Sequence, residues 1–235
     1  MVQNAVQVNT VQDEARTQVR DDHGTPRRAF EASDLARVAV FAALIAALGL
    51  PGSFSVFGGV PITAQTFGVM LAGAILGPRL GALAVVALLT LTAAGLPLLA
   101  GGRGGISVFV GPSAGYLIGW IAGAFVVGLI VHSSARKPTV WRTALAMVVG
   151  GILVIYAFGL PVQSLVTRLS LPQTAVASLV FVPGDLVKAV LATVTVSTLL
   201  RAYPRAFRRN WRSVESLETR ETESRGADDR TPPAP

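Results

Sequence analysis

Asp185 and Lys188 stand three residues apart in Pro183-Gly184-Asp185-Leu186-Val187-Lys188. That spacing puts a carboxylate and an ammonium on one face of a helix. The pair suits either a structural ion pair that fixes helix packing or a polar patch for a ligand carrying both donors and acceptors. Within a membrane, ionisable residues usually mark a substrate or ion path, and Pro183-Gly184 predicts a helix start beside an external connection, so a ligand site is the expected use. A second cation, Arg103, lies in Gly95-Leu96-Pro97-Leu98-Leu99-Ala100-Gly101-Gly102-Arg103-Gly104-Gly105, where five of eleven residues are glycine. Such a backbone folds back at membrane depth only where it is buried in protein or lines a cavity. Arg103 is then either a loop cation or the reader of an anionic ligand, its fixed fork of donors being matched to a carboxylate. Ala36, Ala39, Ala43 and Ala47, three or four apart, form a flat small-residue face suited to packing within the chain or to docking against a second membrane protein.

Enzyme signatures are missing. The two histidines are His23 and His132, cysteine is absent, and the two lysines, Lys137 and Lys188, do not follow a glycine. No Ser-His pair, thiolate or His-rich metal set, or phosphate-binding loop can be assembled from these. The expectation is a protein that is not an enzyme and holds no metal or cofactor; if ATP drives it, another chain hydrolyses the ATP.

The elements that must position these residues follow from the charge distribution. The chain of 235 residues is 51% hydrophobic and 14% charged, against about a quarter charged in soluble domains. Between Leu35 and Val214 the sole carboxylate is Asp185. A soluble surface cannot be wetted that way, whereas hydrocarbon demands it, a charge at mid-membrane costing roughly 2.5 to 3.5 kcal/mol on insertion scales. The net charge of +7 does not point to nucleic acid, because the basic residues sit at helix ends without reading residues beside them.

Apolar runs at Leu35 to Leu50, Pro61 to Gly77, Leu80 to Leu96, Pro112 to His132, Trp141 to Leu160 and roughly Pro183 to Leu200, the last extendable back over Ser178 to Val182, predict six transmembrane helices. Basic residues alternate with them. Arg27, Arg28 and Arg37 surround the start of the first span, Arg79 follows the second, Arg136, Lys137 and Arg142 the fourth, and Arg201, Arg205, Arg208, Arg209 and Arg212 the sixth. The other connections hold Arg103 and Arg168, so the positive-inside rule places both termini in the cytoplasm. Gly111, Gly115, Gly119 and Gly123, and Gly73, Gly77 and Gly81, recur at four-residue spacing and predict close helix contacts. The expected organisation is a disordered cytoplasmic tail over 1–34, an all-α six-helix membrane domain over 35–201, and a basic, then disordered, cytoplasmic tail over 202–235.

The chain resembles the BioY family, the biotin-specific substrate-binding subunits of energy-coupling-factor (ECF) transporters. The matching residues are Val60-Pro61-Ile62-Thr63-Ala64-Gln65-Thr66-Phe67, Leu76-Gly77-Pro78-Arg79, Gly95-Leu96-Pro97, Gly104-Gly105, Gly111-Pro112-Ser113-Ala114-Gly115-Tyr116-Leu117 and the Pro183 to Lys188 segment. The resemblance implies a six-helix fold in the bacterial cell membrane, with biotin held near the outer face. It also implies separate partner chains, a transmembrane coupling subunit and ATP-binding-cassette ATPases. By it Asp185, Lys188 and Arg103 would be polar ligand contacts, Gln65, Thr63 and Tyr116 would line the site, and Ala39, Ala43 and Ala47 would face the coupling subunit. Leu98-Leu99 replaces the family's usual Val-Phe, and an aromatic common in the third span is missing. The residues leave open which group meets the biotin carboxylate and which the ureido group. They also leave open a subunit for another vitamin, a proton-coupled carrier titrating at Asp185, and a non-transporting scaffold.

Overall fold

The structure, a computed structural model, describes residues 32–50, 54–55, 60–134, 138–203 and 207. Most of the tails expected to be disordered, residues 1–31, 204–206 and 208–235, lies outside the described residues, as do Arg27, Arg28, Arg136, Lys137, Arg205, Arg208, Arg209 and Arg212; Ala32 to Asp34, expected in the first tail, are helical, and so is Ala202, expected in the second. By contacts the chain divides into Met1–Leu35, of which residues 32–35 are described, and Ala36–Pro235.

Among the described residues the six apolar stretches give six helical rods. Helix α1 (Ala32–Ala47) ends in a turn at Leu48 to Leu50. Two short strands, β1 (Phe54–Ser55) and β2 (Pro61–Ile62), then pair antiparallel, with Phe54 opposite Ile62. Helix α2 (Gln65–Leu76) therefore starts later than the hydropathy suggests: Pro61 belongs to a strand, and the Thr63 hydroxyl accepts the first helical N–H, from Gln65, at 3.3 Å. At 12 residues α2 is about 18 Å long, well short of a hydrocarbon core of about 30 Å. Gly77, at φ 85°, turns the chain by a conformation that side chains resist, and Pro78 opens α3 (Pro78–Ala93).

Helix α4 (Ala114–His132) follows the glycine-rich loop and a 3-10 turn at Ile106–Phe109. Its C-terminal carbonyls are capped by Arg142, whose guanidinium donates to Ile130 O at 2.8 Å and Val131 O at 3.0 Å. The fifth rod is continuous over 28 residues, built from α5 (Val140–Val148), a π-helical stretch (Val149–Val154) and α6 (Ile155–Thr167). Arg168, at φ 57°, ends it, and a capping box between Ser170 and Gln173 opens the next rod. That rod is also unbroken, 32 residues long: α7 (Leu171–Ser178), a 3-10 turn (Leu179–Phe181) and α8 (Val182–Ala202). Pro183 thus restarts the α-helical register inside a rod and not beside an external connection. The true turn is at Arg168 to Ser170, because a proline in the first turn of α8 forfeits no helical hydrogen bond and need not end a rod.

Among the described residues, three rods are long and apolar enough to cross a membrane: α4, Val140–Thr167 and Leu171–Ala202. Six rods are an even number, which is consistent with both ends of the chain lying on one side, as the basic connections lead one to expect. Leu186, Val187, Val190, Leu191 and Val194 of α8 are exposed, an outward surface that hydrocarbon accepts and water does not. The glycine pattern of α4 serves close packing. A side chain at Gly115 or Gly119 would meet the backbone at Phe158 or Ile155 of α6, and one at Gly123 the carbonyl of Gly150 in the π-helical stretch.

Candidate functional site

A cavity of about 650 Å³, its open mouth included, lies between α2, α4, the fifth and sixth rods and the glycine-rich loop. All six residues singled out from the sequence line it: Thr63, Gln65, Arg103, Tyr116, Asp185 and Lys188.

The spacing of Asp185 and Lys188 produces a direct bridge, Lys188 Nζ donating to Asp185 Oδ1 at 2.9 Å. The other oxygen is taken as well: the Tyr156 hydroxyl donates to Asp185 Oδ2 at 2.7 Å. Asp185 is 8% exposed, so a carboxylate that water scarcely reaches is satisfied by one cation and one phenol. Each carboxylate oxygen keeps one acceptor position, and the ammonium keeps two of its three protons for another partner.

Arg103 is placed by the loop. Leu99 and Arg103 exchange both backbone hydrogen bonds, at 3.0 and 3.1 Å, and the chain reverses between them through Gly101 and Gly102, both at positive φ. Gly104 presses on the Leu96 backbone, where a side chain would collide. The guanidinium donates through Nε to Ala100 O at 3.3 Å and through Nη1 to Ser113 Oγ at 3.4 Å. Both partners are neutral, so among the described residues no carboxylate offsets this charge. Burial lowers the guanidinium from its ordinary pKa, a shift with no consequence for a group that stays protonated.

Gln65 lines the cavity but most of its capacity is spent. Its amide nitrogen donates to Ile45 O at 3.1 Å and Leu98 O at 3.0 Å, and its Oε1 accepts from Ala100 N at 3.0 Å. It therefore ties α1 to the Arg103 loop and can offer a ligand a single remaining acceptor position. Tyr116 is likewise engaged, its hydroxyl donating to the buried Gln163 Oε1 at 2.7 Å, which also accepts from Ser178 Oγ at 3.3 Å. Thr63 has accepted its bond from Gln65 and retains its own hydroxyl proton.

The residues not foreseen are aromatic and long-range. Trp120 and Phe181 are buried in the cavity wall, and the rings of Tyr116 and Tyr156 meet edge to face with centroids 5.9 Å apart. The aromatic surface missing from the third span is thus supplied by α4 and the last two rods. No sequence spacing signals Tyr156, which lies 29 residues from Asp185. The arrangement can hold a small molecule with hydrogen-bonding capacity at the Asp185–Lys188 pair, apolar and aromatic surface, and an anionic group at Arg103.

Ala36, Ala39, Ala43 and Ala47 are all exposed on α1, while Val38, Ala42 and Ile45 on its other side are buried. The small-residue face is thus unused by packing within the chain among the described residues.

A family model described as the BioY family matches residues 20–205. A biotin transporter BioY of Rhizobium etli is 46% identical over 177 residues, covering 73% of this chain and 95% of the relative. One of Rhodobacter capsulatus is 47% identical over 178 residues, covering 72% and 94%. Among solved structures, the S-component for biotin from an ECF-type ABC transporter aligns with a TM-score of 0.68 at 35% identity, covering 75% of this chain and 96% of that one.

Proposed function

The chain belongs to the BioY family, and on that premise we propose that it is the biotin-binding membrane subunit of an ECF-type vitamin importer. It takes biotin from the outer face of the bacterial cell membrane and delivers it through a separate transmembrane coupling subunit driven by ATP-binding-cassette ATPases. It performs no covalent chemistry of its own, and biotin is cargo, not a cofactor.

The observation that carries this reading is the division of charge in the cavity. Biotin has one carboxylate, an apolar valeryl chain, a thioether ring and a ureido group with one acceptor oxygen and two N–H donors. Lys188 is already neutralised by Asp185 at 2.9 Å, so the pair offers donors and acceptors without net charge, which suits the neutral ureido group. Arg103 faces neutral partners only and is the group left to pair the carboxylate. Trp120, Phe181 and Leu117 add apolar surface to the same cavity.

The exposed face of Ala39, Ala43 and Ala47 is the surface offered to the coupling subunit, since in lipid small residues let two helices approach and gain contact where no hydrophobic force drives them together. Calorimetry on the detergent-purified chain tests the ligand assignment. Biotin should bind one to one and more tightly than its methyl ester; equal affinity for both removes Arg103 from the carboxylate, and no binding of either removes biotin as the ligand.

A further inference from the structure

The geometry points to Tyr156 as the residue that sets specificity for the ureido end of the ligand, acting through Asp185 as a positioning group; this rests on the biotin reading above. A carboxylate on a helix rotates about two side-chain bonds, and an ion pair to a residue on the same helix leaves the plane of its oxygens adjustable. Here the plane is pinned from two sides. Lys188 holds Oδ1 at 2.9 Å from the same helix, and Tyr156 holds Oδ2 at 2.7 Å from the neighbouring rod. The Tyr156 ring is itself fixed by its edge-to-face contact with Tyr116, whose hydroxyl is tied to Gln163. One free acceptor position on each oxygen is therefore oriented before the ligand arrives, and binding need not bear the cost of ordering it. Lys188 alone would leave that choice open, because its long chain follows the carboxylate wherever it turns.

The Tyr156→Phe variant keeps the ring and its contact with Tyr116 and deletes the donor. With wild-type protein shown to bind biotin, the variant should bind biotin about tenfold more weakly or worse, the scale of a hydrogen bond to a charged group. Its preference for biotin over an analogue methylated on a ureido nitrogen should shrink. Its preference for biotin over the methyl ester, set at Arg103, should stay as in the wild type. A general loss of packing would instead lower affinity for all three ligands together, and that result overturns the assignment. In an Asp185→Asn background the effect of Tyr156→Phe should largely vanish; an undiminished effect there also overturns it. If Tyr156→Phe cannot be purified folded, 3-fluorotyrosine at position 156, a stronger donor of nearly the same shape, must raise the preference for the unmethylated ureido group, and no change refutes the proposal. Wild-type protein that binds no biotin defeats the ligand reading itself, and this assignment falls with it.

Discussion

Lys188→Ala separates the two uses of the Asp185–Lys188 pair. The bridge is 2.9 Å long and its side chains are only 15% and 12% exposed, so removing the ammonium leaves a poorly hydrated carboxylate with the Tyr156 hydroxyl as its remaining partner. Breaking a fully buried pair costs about 3 to 5 kcal/mol. The residual exposure, the cavity and the retained phenol bond reduce this, and about 2 to 3 kcal/mol is the expected loss of stability. Combining Asp185→Asn with Lys188→Ala removes the stranded charge, so that most of this stability should return. Binding should not return with it. On the proposed assignment the double variant lacks both the ammonium that would donate to the ureido oxygen and the anion that would accept from a ureido N–H, and should bind biotin at least a hundredfold more weakly, as for about two charge-assisted hydrogen bonds. Thermal unfolding in detergent reports the first quantity and calorimetry the second, on variants that remain monodisperse by size exclusion. A double variant that regains stability and also binds biotin with near-native affinity would show the pair to be purely structural and refute the reasoning.

Three further outcomes follow from the same geometry. Arg103→Gln should weaken biotin by ten- to a hundredfold, as for loss of a charge-assisted bond, while barely affecting the methyl ester; parallel losses for both ligands in competition binding would show the residue to act only through the loop. Ala43→Trp should abolish uptake in cells that hold the coupling subunits and leave biotin binding by the purified chain intact, because the indole stands on an exposed face; normal import would place docking elsewhere. Single cysteines at Ser107 and Ser134, in a chain that has none, should react and stay unreactive respectively with an impermeant thiol reagent on intact cells; the reverse pattern inverts the topology.

What the residue pattern conveyed was whatever depends on neighbours along the chain. An acid-free stretch around Asp185 requires a lipid-embedded core. A three-residue spacing puts Asp185 and Lys188 on one helix face, and alternating basic connections imply an even number of rods. The parts hidden from the pattern depend on contacts made by folding. Gln65 reads as a polar residue near a ligand, yet its partners are backbone groups of Ile45, Leu98 and Ala100, 20 to 35 residues away. Tyr156 is one aromatic among many apolar residues until the register of the fifth rod brings it to Asp185. Hydropathy also cannot distinguish a full span from a short helix preceded by strand, which is why α2 begins at Gln65 and not Pro61. Nor does Pro183 disclose that the chain reaches it already helical from Leu171.

The central claim is that one cavity recognises biotin at both ends, the ureido group at Asp185 and Lys188 and the carboxylate at Arg103. Calorimetry of the purified wild-type chain, Arg103→Gln and Lys188→Ala against biotin and its methyl ester, run as one matrix, tests it most directly. The preference of the wild type for biotin over the ester should collapse in Arg103→Gln and persist in Lys188→Ala, whose affinity for both ligands falls together. A preference that survives loss of Arg103 and disappears with Lys188 would reverse the ligand in the cavity and contradict the account.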